Sequence, residues 1–114
     1  MEIKNAKIKN VTIRLDNKER VIASMEFHER LDFTIFVFKL GNPVEVKNLK
    51  KLMEFAEVSE FKDLEGKIVR LAFRENCVMA IGHPIEDRFV DVTNTMIDTI
   101  EELTESKLFE EYPE

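Results

Sequence analysis

The chain has 114 residues, of which 44% are hydrophobic and nine are Phe, with only three Gly and three Pro. A chain of this length normally forms one domain, and this apolar content excludes an intrinsically disordered protein and allows a core without metals or disulfides. We expect a single domain over residues 1–114. The net charge of −6 is uneven, because residues 85–114 hold ten acids against two bases and carry −8, which leaves +2 on the first 84 residues.

The cysteine content and the apolar runs bear on the cellular compartment. Cys77 is the only cysteine, so no intramolecular disulfide can form, and the apolar run Val78–Ile81 after it predicts a buried small hydrophobe, not a reactive thiol. The polar start of the chain lacks the apolar stretch of a signal peptide. The longest apolar run, Thr34–Phe38, is far too short to span a bilayer. These features favour the cytoplasm.

The first third of the chain has the periodicity of three strands. In Ala6–Leu15 the parity of the apolar residues changes once, which predicts a bulge near Lys9–Asn10. After the polar turn Asp16–Glu19, the segment Arg20–His28 alternates strictly, which predicts a strand with one solvent-exposed face. The segment Phe33–Phe38 is apolar at both parities, which predicts a central strand covered on both faces.

A helical pattern follows. Asn42 is a candidate N-cap, with Pro43 at the first helical position and Glu45 three residues after the cap. From there apolar residues recur at intervals of three and four and predict a buried stripe. The stripe comprises Val46, Leu49, Leu52, Met53 and Ala56. Phe55 lies off this stripe, so we place it at the rim of the helix or on a contact surface.

The second half of the chain contains further strands and a second helical pattern. Ile68–Phe73 and Cys77–Ile81 have the pattern of a hairpin, and Phe89–Val92 that of a short edge strand. A last helix is predicted after candidate caps at Thr93–Thr95. Its apolar stripe comprises Met96, Ile97, Ile100, Leu103 and Leu108. The order β-β-β-α-β-β-(β)-α predicts an α+β fold, with an antiparallel sheet of about five to six strands and two helices.

We predict no metal, no cofactor and no catalytic residue. The candidate ligands His28, Cys77 and His83 lack the spacing of a metal site. The sequence has no glycine-rich loop that could cradle a phosphate, and no nucleophile stands beside a base. An active site assembled only in the folded protein stays open as an alternative, but the sequence favours a binding protein over an enzyme.

The charge distribution supplies two candidate binding surfaces. The first is the acidic face of the predicted last helix, which comprises Asp98, Glu101, Glu102 and Glu105. Such a ridge could bind a basic groove on another protein, or it could be only the solvated face of an amphipathic helix. The second is the strand face that Arg70 and Arg74 share on either side of Ala72, which could hold a carboxylate or phosphate, or could simply be solvated.

A resemblance bears on the choice among these functions. The stretch Asp63–Leu71, followed by Ala80–His83 and by Asp91, resembles a pattern in small proteins of phages and mobile elements of Gram-positive bacteria. Those proteins carry no agreed activity, so no functional residue is carried over. The resemblance implies a setting in which small acidic accessory proteins bind host proteins or defence systems.

The sequence therefore predicts a non-enzymatic protein-binding module of phage or mobile-element origin, which inhibits a host antiviral defence system by covering a surface of a host protein. The alternative is an oligomer that sequesters a small ligand, a nucleotide messenger, with Arg70 and Arg74 around its anionic group. A small enzyme with a spatially assembled site is the third candidate. We expect a homo-oligomer, a host protein as the partner, and no direct contact with nucleic acid or a membrane.

Overall fold

A computed structural model describes residues 2–93 of the chain. The strands are β1 (Glu2–Leu15), β2 (Val21–His28), β3 (Phe33–Lys39), β4 (Ile68–Arg74), β5 (Cys77–Gly82) and β6 (Phe89–Asp91), and the helix is α1 (Pro43–Phe55). A short 3₁₀ helix, Phe61–Leu64, precedes β4. The six strands form one antiparallel sheet in the order β3-β2-β1-β4-β5-β6, curved into half of a barrel. Helix α1 packs inside the curve and contacts both edge strands, β3 and β6.

The predicted fold class, α+β with two helices, is wrong. The described residues form a mostly β structure, in which a single six-stranded sheet is covered by one helix of 13 residues. The physical reason is the curvature of the sheet, because one helix that reaches both edge strands covers the concave face. The second predicted helix, with its stripe from Met96 to Leu108, lies outside the described residues.

Strand β1 joins the two halves of the sheet. Its residues Lys7–Leu15 pair with β2, and its residues Glu2–Lys7 pair with β4 on the opposite side. The register with β2 shifts between Lys9 and Thr12, and Asn10 has a φ of 55°, so the predicted bulge is confirmed. Asn tolerates this left-handed conformation better than most residues. A bulge bends its strand, which fits the curvature of the sheet at this point.

Strand β3 lies at an edge of the sheet, so the prediction of a central strand is wrong. Phe36, Val37 and Phe38 are nevertheless fully buried. The core includes Phe36 and Phe38, and helix α1 contacts this edge of the sheet. Phe33, at the other end of β3, is 50% exposed and stacks on His28 with ring centroids 5.0 Å apart. Val37, which pairs with Ser24, lies on the face opposite Phe36 and Phe38 and is buried as well, so this part of the strand is covered on both faces, as predicted, although it lies at the edge of the sheet.

The N-terminus of α1 forms as predicted. Asn42 is the N-cap, and its Oδ1 accepts hydrogen bonds from the backbone N–H groups of Val44 at 3.0 Å and Glu45 at 3.4 Å. Pro43 occupies the first turn, where its missing N–H costs no helical hydrogen bond. The beginning of this helix could therefore be located from local residues alone.

The buried face of α1 differs from the predicted stripe. Its buried residues are Glu45, Asn48, Leu49, Leu52 and Phe55. Val46 is 37% exposed, whereas Phe55 is only 3% exposed and packs edge-on against His83 at a centroid distance of 6.2 Å. Glu45 can lie inside because its Oε1 accepts a hydrogen bond from the backbone N–H of Lys39 at 3.0 Å. The buried face of α1 therefore differs from the predicted stripe by including Glu45 and Phe55. Each of them contacts a residue outside the helix, Lys39 and His83 respectively.

The turn between β1 and β2 is organised by the Asp16 carboxylate, whose side chain is fully buried. Its Oδ1 accepts from the backbone N–H groups of Lys18 at 2.8 Å and Arg20 at 2.9 Å, and its Oδ2 accepts from Arg20 Nε at 2.7 Å. Burial by itself would raise the pKa of the Asp16 carboxyl, but the hydrogen bonds from Arg20 and Lys18 and the charge of Arg20 together lower it from 3.8. The carboxylate form therefore stabilises the folded state.

Asp16→Asn is expected to reduce the free energy of unfolding at neutral pH by about 1 kcal/mol, because the amide loses the charge-assisted bond to Arg20. Since the pKa of Asp16 is lowered by folding, its contribution is complete above its unfolded pKa and is lost as the pH falls through its folded pKa. Urea unfolding of both proteins from neutral to acidic pH should show two curves that converge as the pH falls. Parallel curves would contradict this role of Asp16.

The hairpin between β4 and β5 turns through Glu75 and Asn76, whose φ values are 52° and 67°. Cys77 begins β5 opposite Arg74 and is exposed, so the prediction of a buried cysteine is wrong. Its apolar neighbours in sequence belong to the core, but Cys77 itself lies at the solvent-exposed end of the hairpin.

Along residues 2–93 no helix is long and apolar enough to cross a membrane.

Candidate functional site

The first predicted binding surface, the acidic face comprising Asp98, Glu101, Glu102 and Glu105, lies outside the described residues. Acidic and basic residues are equal in number among residues 2–93, so the whole net charge of −6 comes from the rest of the chain. Any binding surface on the described part must therefore be found from local geometry, since this part has no overall charge to attract a partner.

Arg70, from the second predicted surface, is held by the protein itself. Its Nε donates to the backbone carbonyl of His83 at 2.7 Å, and its Nη2 donates to the carbonyl of Glu86. Its guanidinium also lies over the ring of Phe89, 5.1 Å from the centroid. Arg74 is exposed at the end of β4. An anion held by both arginines would have to compete with the carbonyl groups that Arg70 already binds.

The loop from β5 to β6 is the structure that Arg70 stabilises. The Nδ1 atom of His83 accepts hydrogen bonds from the backbone N–H groups of Ile85 at 3.0 Å and Glu86 at 2.9 Å, so in this arrangement Nδ1 carries no proton. The backbone N–H of His83 donates to the carbonyl of Arg88 at 2.9 Å. Among the described residues no group of three or more His, Cys, Asp or Glu side chains could hold a metal ion. His83 is thus the centre of the hydrogen bonds that hold this loop.

A charged cleft of about 450 Å³ lies beside the start of β1, at the side where β2 no longer pairs with it. Within it, Lys4 Nζ lies 3.0 Å from Glu2 Oε1, 3.5 Å from Glu29 Oε2 and 5.4 Å from the ring centroid of Phe73. The hydrogen bond to Glu2, together with the nearby charges, raises the pKa of Lys4. The two carboxylates are thus partnered by the protein's own cation, which leaves them poorly placed to act on a ligand.

A contiguous apolar surface lies at the far end of the β1–β2 hairpin. Ile13 is 55% exposed, Leu15 60% and Val21 46%. Leu15 and Val21 are a cross-strand pair, and Ile13 pairs with the buried Ala23, so all three side chains lie on the core face of the sheet. We call these three residues the hairpin patch. The hairpin patch thus lies on the same face of the sheet as the core residue Ala23, but at the end of the hairpin, where this face is exposed.

The hydrogen-bonding pattern of β1 shows which backbone groups border the hairpin patch. The backbone N–H of Asp16 donates to the carbonyl of Arg20 at 2.9 Å. Arg14 and Thr12 precede Asp16 by two and four residues on β1, and both pair with β2. In an antiparallel pair such alternate residues bond to the partner strand, and the residues between them point the other way. The N–H and C=O groups of Ile13 and Leu15 therefore point away from β2.

On this outward side of β1, the backbone N–H groups nearer the bulge are capped by a side chain. The Glu65 carboxylate accepts from the backbone N–H groups of Asn10 at 3.2 Å and Val11 at 3.1 Å. Beyond Val11, no strand among the described residues pairs with this side of β1. We call the outward backbone groups of Ile13 and Leu15 the outer edge of β1. The hairpin patch and the outer edge together present apolar side chains beside backbone groups that no strand among residues 2–93 pairs with; the Leu15 carbonyl accepts a hydrogen bond from Arg14 Nη1 at 3.4 Å.

Neither feature was predicted from the sequence. The shared parity of Val11, Ile13 and Leu15 indicated a strand with one apolar face, but parity does not show how far a covering helix extends. That limit is set by α1, which contacts β3, β5 and β6. Comparison with known protein-family models, with curated proteins and with solved structures finds no match.

Proposed function

We propose that this chain is a non-enzymatic protein-binding module that acts in the cytoplasm and binds a host protein through the hairpin patch. The observation that supports the proposal is the exposure of Ile13, Leu15 and Val21, side by side on the face that elsewhere forms the core. Contiguous exposed apolar surface, as opposed to single apolar residues, is a common mark of protein interaction sites.

The geometry of the hairpin patch suits a contact that excludes water. Leu15 and Val21 form a pair directly across the two strands, and the turn that follows is fixed by the buried carboxylate of Asp16. A preorganised apolar surface loses little conformational freedom when a partner covers it, so more of the gain from burial remains as affinity. Leu31 and Ile85 are more exposed, at 95% and 85%, but stand in separate loops.

The resemblance to small phage and mobile-element proteins supports a specific version of this proposal. In that setting the host protein would belong to an antiviral defence system, and the chain would inhibit it by covering a surface. The acidic face from Asp98 to Glu105 stays a prediction as a second contact. The alternative, sequestration of a nucleotide messenger by Arg70 and Arg74 in an oligomer, also stays a prediction, and the bonds of Arg70 to its own loop do not favour it.

The proposal can be tested by affinity capture from a lysate of a Gram-positive bacterium with the wild type and with Leu15→Asp. A captured protein that binds through the hairpin patch should bind Leu15→Asp about 30-fold more weakly, since burying an unpaired carboxylate at the centre of an interface costs as much as losing a hot-spot residue. The captured protein would be identified by mass spectrometry, and its dissociation constant would be measured by calorimetry with both variants.

The matched control is Leu31→Asp, which makes the same substitution at an exposed leucine outside the hairpin patch. It should bind like the wild type, and all three proteins should have similar melting temperatures because both leucines are largely exposed. Equal binding by Leu15→Asp and the wild type would overturn the proposal. So would native mass spectrometry that shows a retained small molecule and an oligomer that nucleotides stabilise, which would favour the sequestering alternative.

A further inference from the structure

We infer that the partner supplies an extended segment that adds to the outer edge of β1 as a further strand and places an acidic side chain opposite Arg14. This inference rests on the proposed function, because it names the binding mode and the chemistry of the partner at the same site. It is carried by three features of the described residues: the direction of the backbone groups, the position of the Arg14 guanidinium, and the capping of the strand by Glu65.

The backbone groups select an extended partner. The N–H and C=O groups of Ile13 and Leu15 point outward, and the side chains of the same two residues are the exposed apolar ones. An added strand would satisfy these backbone groups by ladder hydrogen bonds, and its own apolar side chains at alternate positions would cover Ile13 and Leu15. A helix or a loop could cover the side chains but would leave the backbone groups to water.

Charge at Arg14 favours a different protein over a second copy of the chain paired in this register. If two copies paired antiparallel through Ile13 and Leu15 about a two-fold axis, each Arg14 would face the Arg14 of the other copy. The two Arg14 residues would form a non-hydrogen-bonded cross-strand pair, in which the α-carbons lie about 4.5 Å apart. Like charges directly opposite each other in such a pair are destabilising. A partner segment with a carboxylate at that position removes the repulsion and adds an attraction.

The guanidinium of Arg14 already lies at the outer edge. Its Nη1 is 3.4 Å from the carbonyl oxygen of Leu15, one of the outward backbone groups. The carboxylate of an added strand would therefore meet this guanidinium without a large movement of the side chain. The contact that Arg14 gives up is a long one, so the exchange favours the incoming acid.

Glu65 limits the length and the charge of the added strand. Its carboxylate occupies the same side of β1 at Asn10 and Val11, so the segment can pair only with residues beyond Val11. An acidic side chain at that end of the segment would be repelled by Glu65. The structure thus favours a short segment of the pattern apolar–acidic–apolar, with no acid at the end nearest Glu65.

Hydrogen exchange tests whether the outer edge is open in the free protein. The backbone amides of Ile13 and Leu15 should exchange fast, whereas those of Thr12 and Arg14, bonded to β2, should exchange slowly and serve as controls in the same strand. Slow exchange at Ile13 and Leu15 in the free monomer would show that another part of the chain covers the edge. Slow exchange that depends on protein concentration would show a second copy there. Either result would overturn the inference.

A titration with two synthetic peptides tests the charge preference. The probe is acetyl-Thr-Val-Glu-Val-Thr-amide, and the matched control has Lys in place of Glu. The acidic probe should shift the NMR signals of the Ile13 and Leu15 amides and bind about five-fold more tightly than the control peptide, with the preference reversed in Arg14→Glu. Because such short peptides bind weakly, the titration would be followed to millimolar concentrations.

The outcomes separate this inference from the proposed function. Equal binding of both peptides at the outer edge would overturn the acidic preference and leave strand addition in place. If neither peptide shifted the Ile13 and Leu15 amides, while Leu15→Asp still abolished capture of the host protein, strand addition would be wrong and the hairpin patch would stand. If capture were also unaffected by Leu15→Asp, the proposed function itself would fail.

Discussion

Phe36→Ala is expected to lower the free energy of unfolding by about 3–5 kcal/mol, a large part of the total stability of a domain of this size. Phe36 is fully buried, and its ring lies edge-on to Phe27 at a centroid distance of 5.1 Å and tilted against Phe38 at 5.8 Å. Replacing the ring with a methyl group removes buried apolar surface and both aromatic contacts and leaves a cavity in the core. Urea unfolding followed by circular dichroism would measure the loss.

Phe33→Ala is the matched control, because it makes the same change three residues earlier on β3. Phe33 is 50% exposed and stacks on His28 at the surface, so the loss should be under about 1 kcal/mol. The comparison also tests the placement of β3 at the sheet edge. Similar losses at Phe33 and Phe36 would mean that the whole strand is covered, as the sequence pattern predicted, and would contradict the observed fold.

Gly82→Ala is expected to lower the free energy of unfolding by about 2 kcal/mol. A β-carbon at Gly82 would lie 2.8 Å from Cζ of Phe89 and closer still to two other atoms of that ring. Gly82 and Phe89 are directly opposed on β5 and β6, so the ring fills the space that the glycine leaves. Displacement of the ring would disturb its contact with the guanidinium of Arg70, which lies 5.1 Å from the ring centroid.

A double-mutant cycle would identify the cause of this loss. On a Phe89→Ala background, Gly82→Ala should cost far less than in the wild type, because the ring that the new methyl group meets is absent. Gly41→Ala is a second control: a β-carbon there meets nothing within 4 Å, and the change should be nearly neutral. An equal cost of Gly82→Ala on both backgrounds would show that contact with Phe89 is not the reason.

The elements that sequence reasoning placed correctly are those fixed by neighbours along the chain. Asn42 and Pro43 started the helix where predicted, because the cap bonds span only three residues. The bulge near Asn10 could be predicted because a change in the parity of apolar residues requires one. The polar turn after β1 could be predicted because an Asp side chain bonds to backbone groups two and four residues on.

The errors all concern what covers a residue from elsewhere in the chain. Phe33–Phe38 predicted a central strand, because an edge strand that is buried on both faces, as at Phe36–Phe38, has the same apolar run. Cys77 was predicted to be buried from its apolar neighbours, but it lies where the hairpin leaves the core. Phe55 was placed off the buried stripe of α1, whereas its contact with His83, from a distant loop, brings it inside.

The sequence by itself determined the strands, the turn at Asp16, the start of the first helix and the division of charge along the chain, since each depends on interactions within a few residues. Only the tertiary structure decided the order of the strands, the place of helix α1 inside the curve, the hydrogen bonds between Arg70 and its own loop, and the exposure of Ile13, Leu15 and Val21. These depend on where the core ends. That limit is set by packing between residues far apart in the chain, which the periodicity of a single segment does not record.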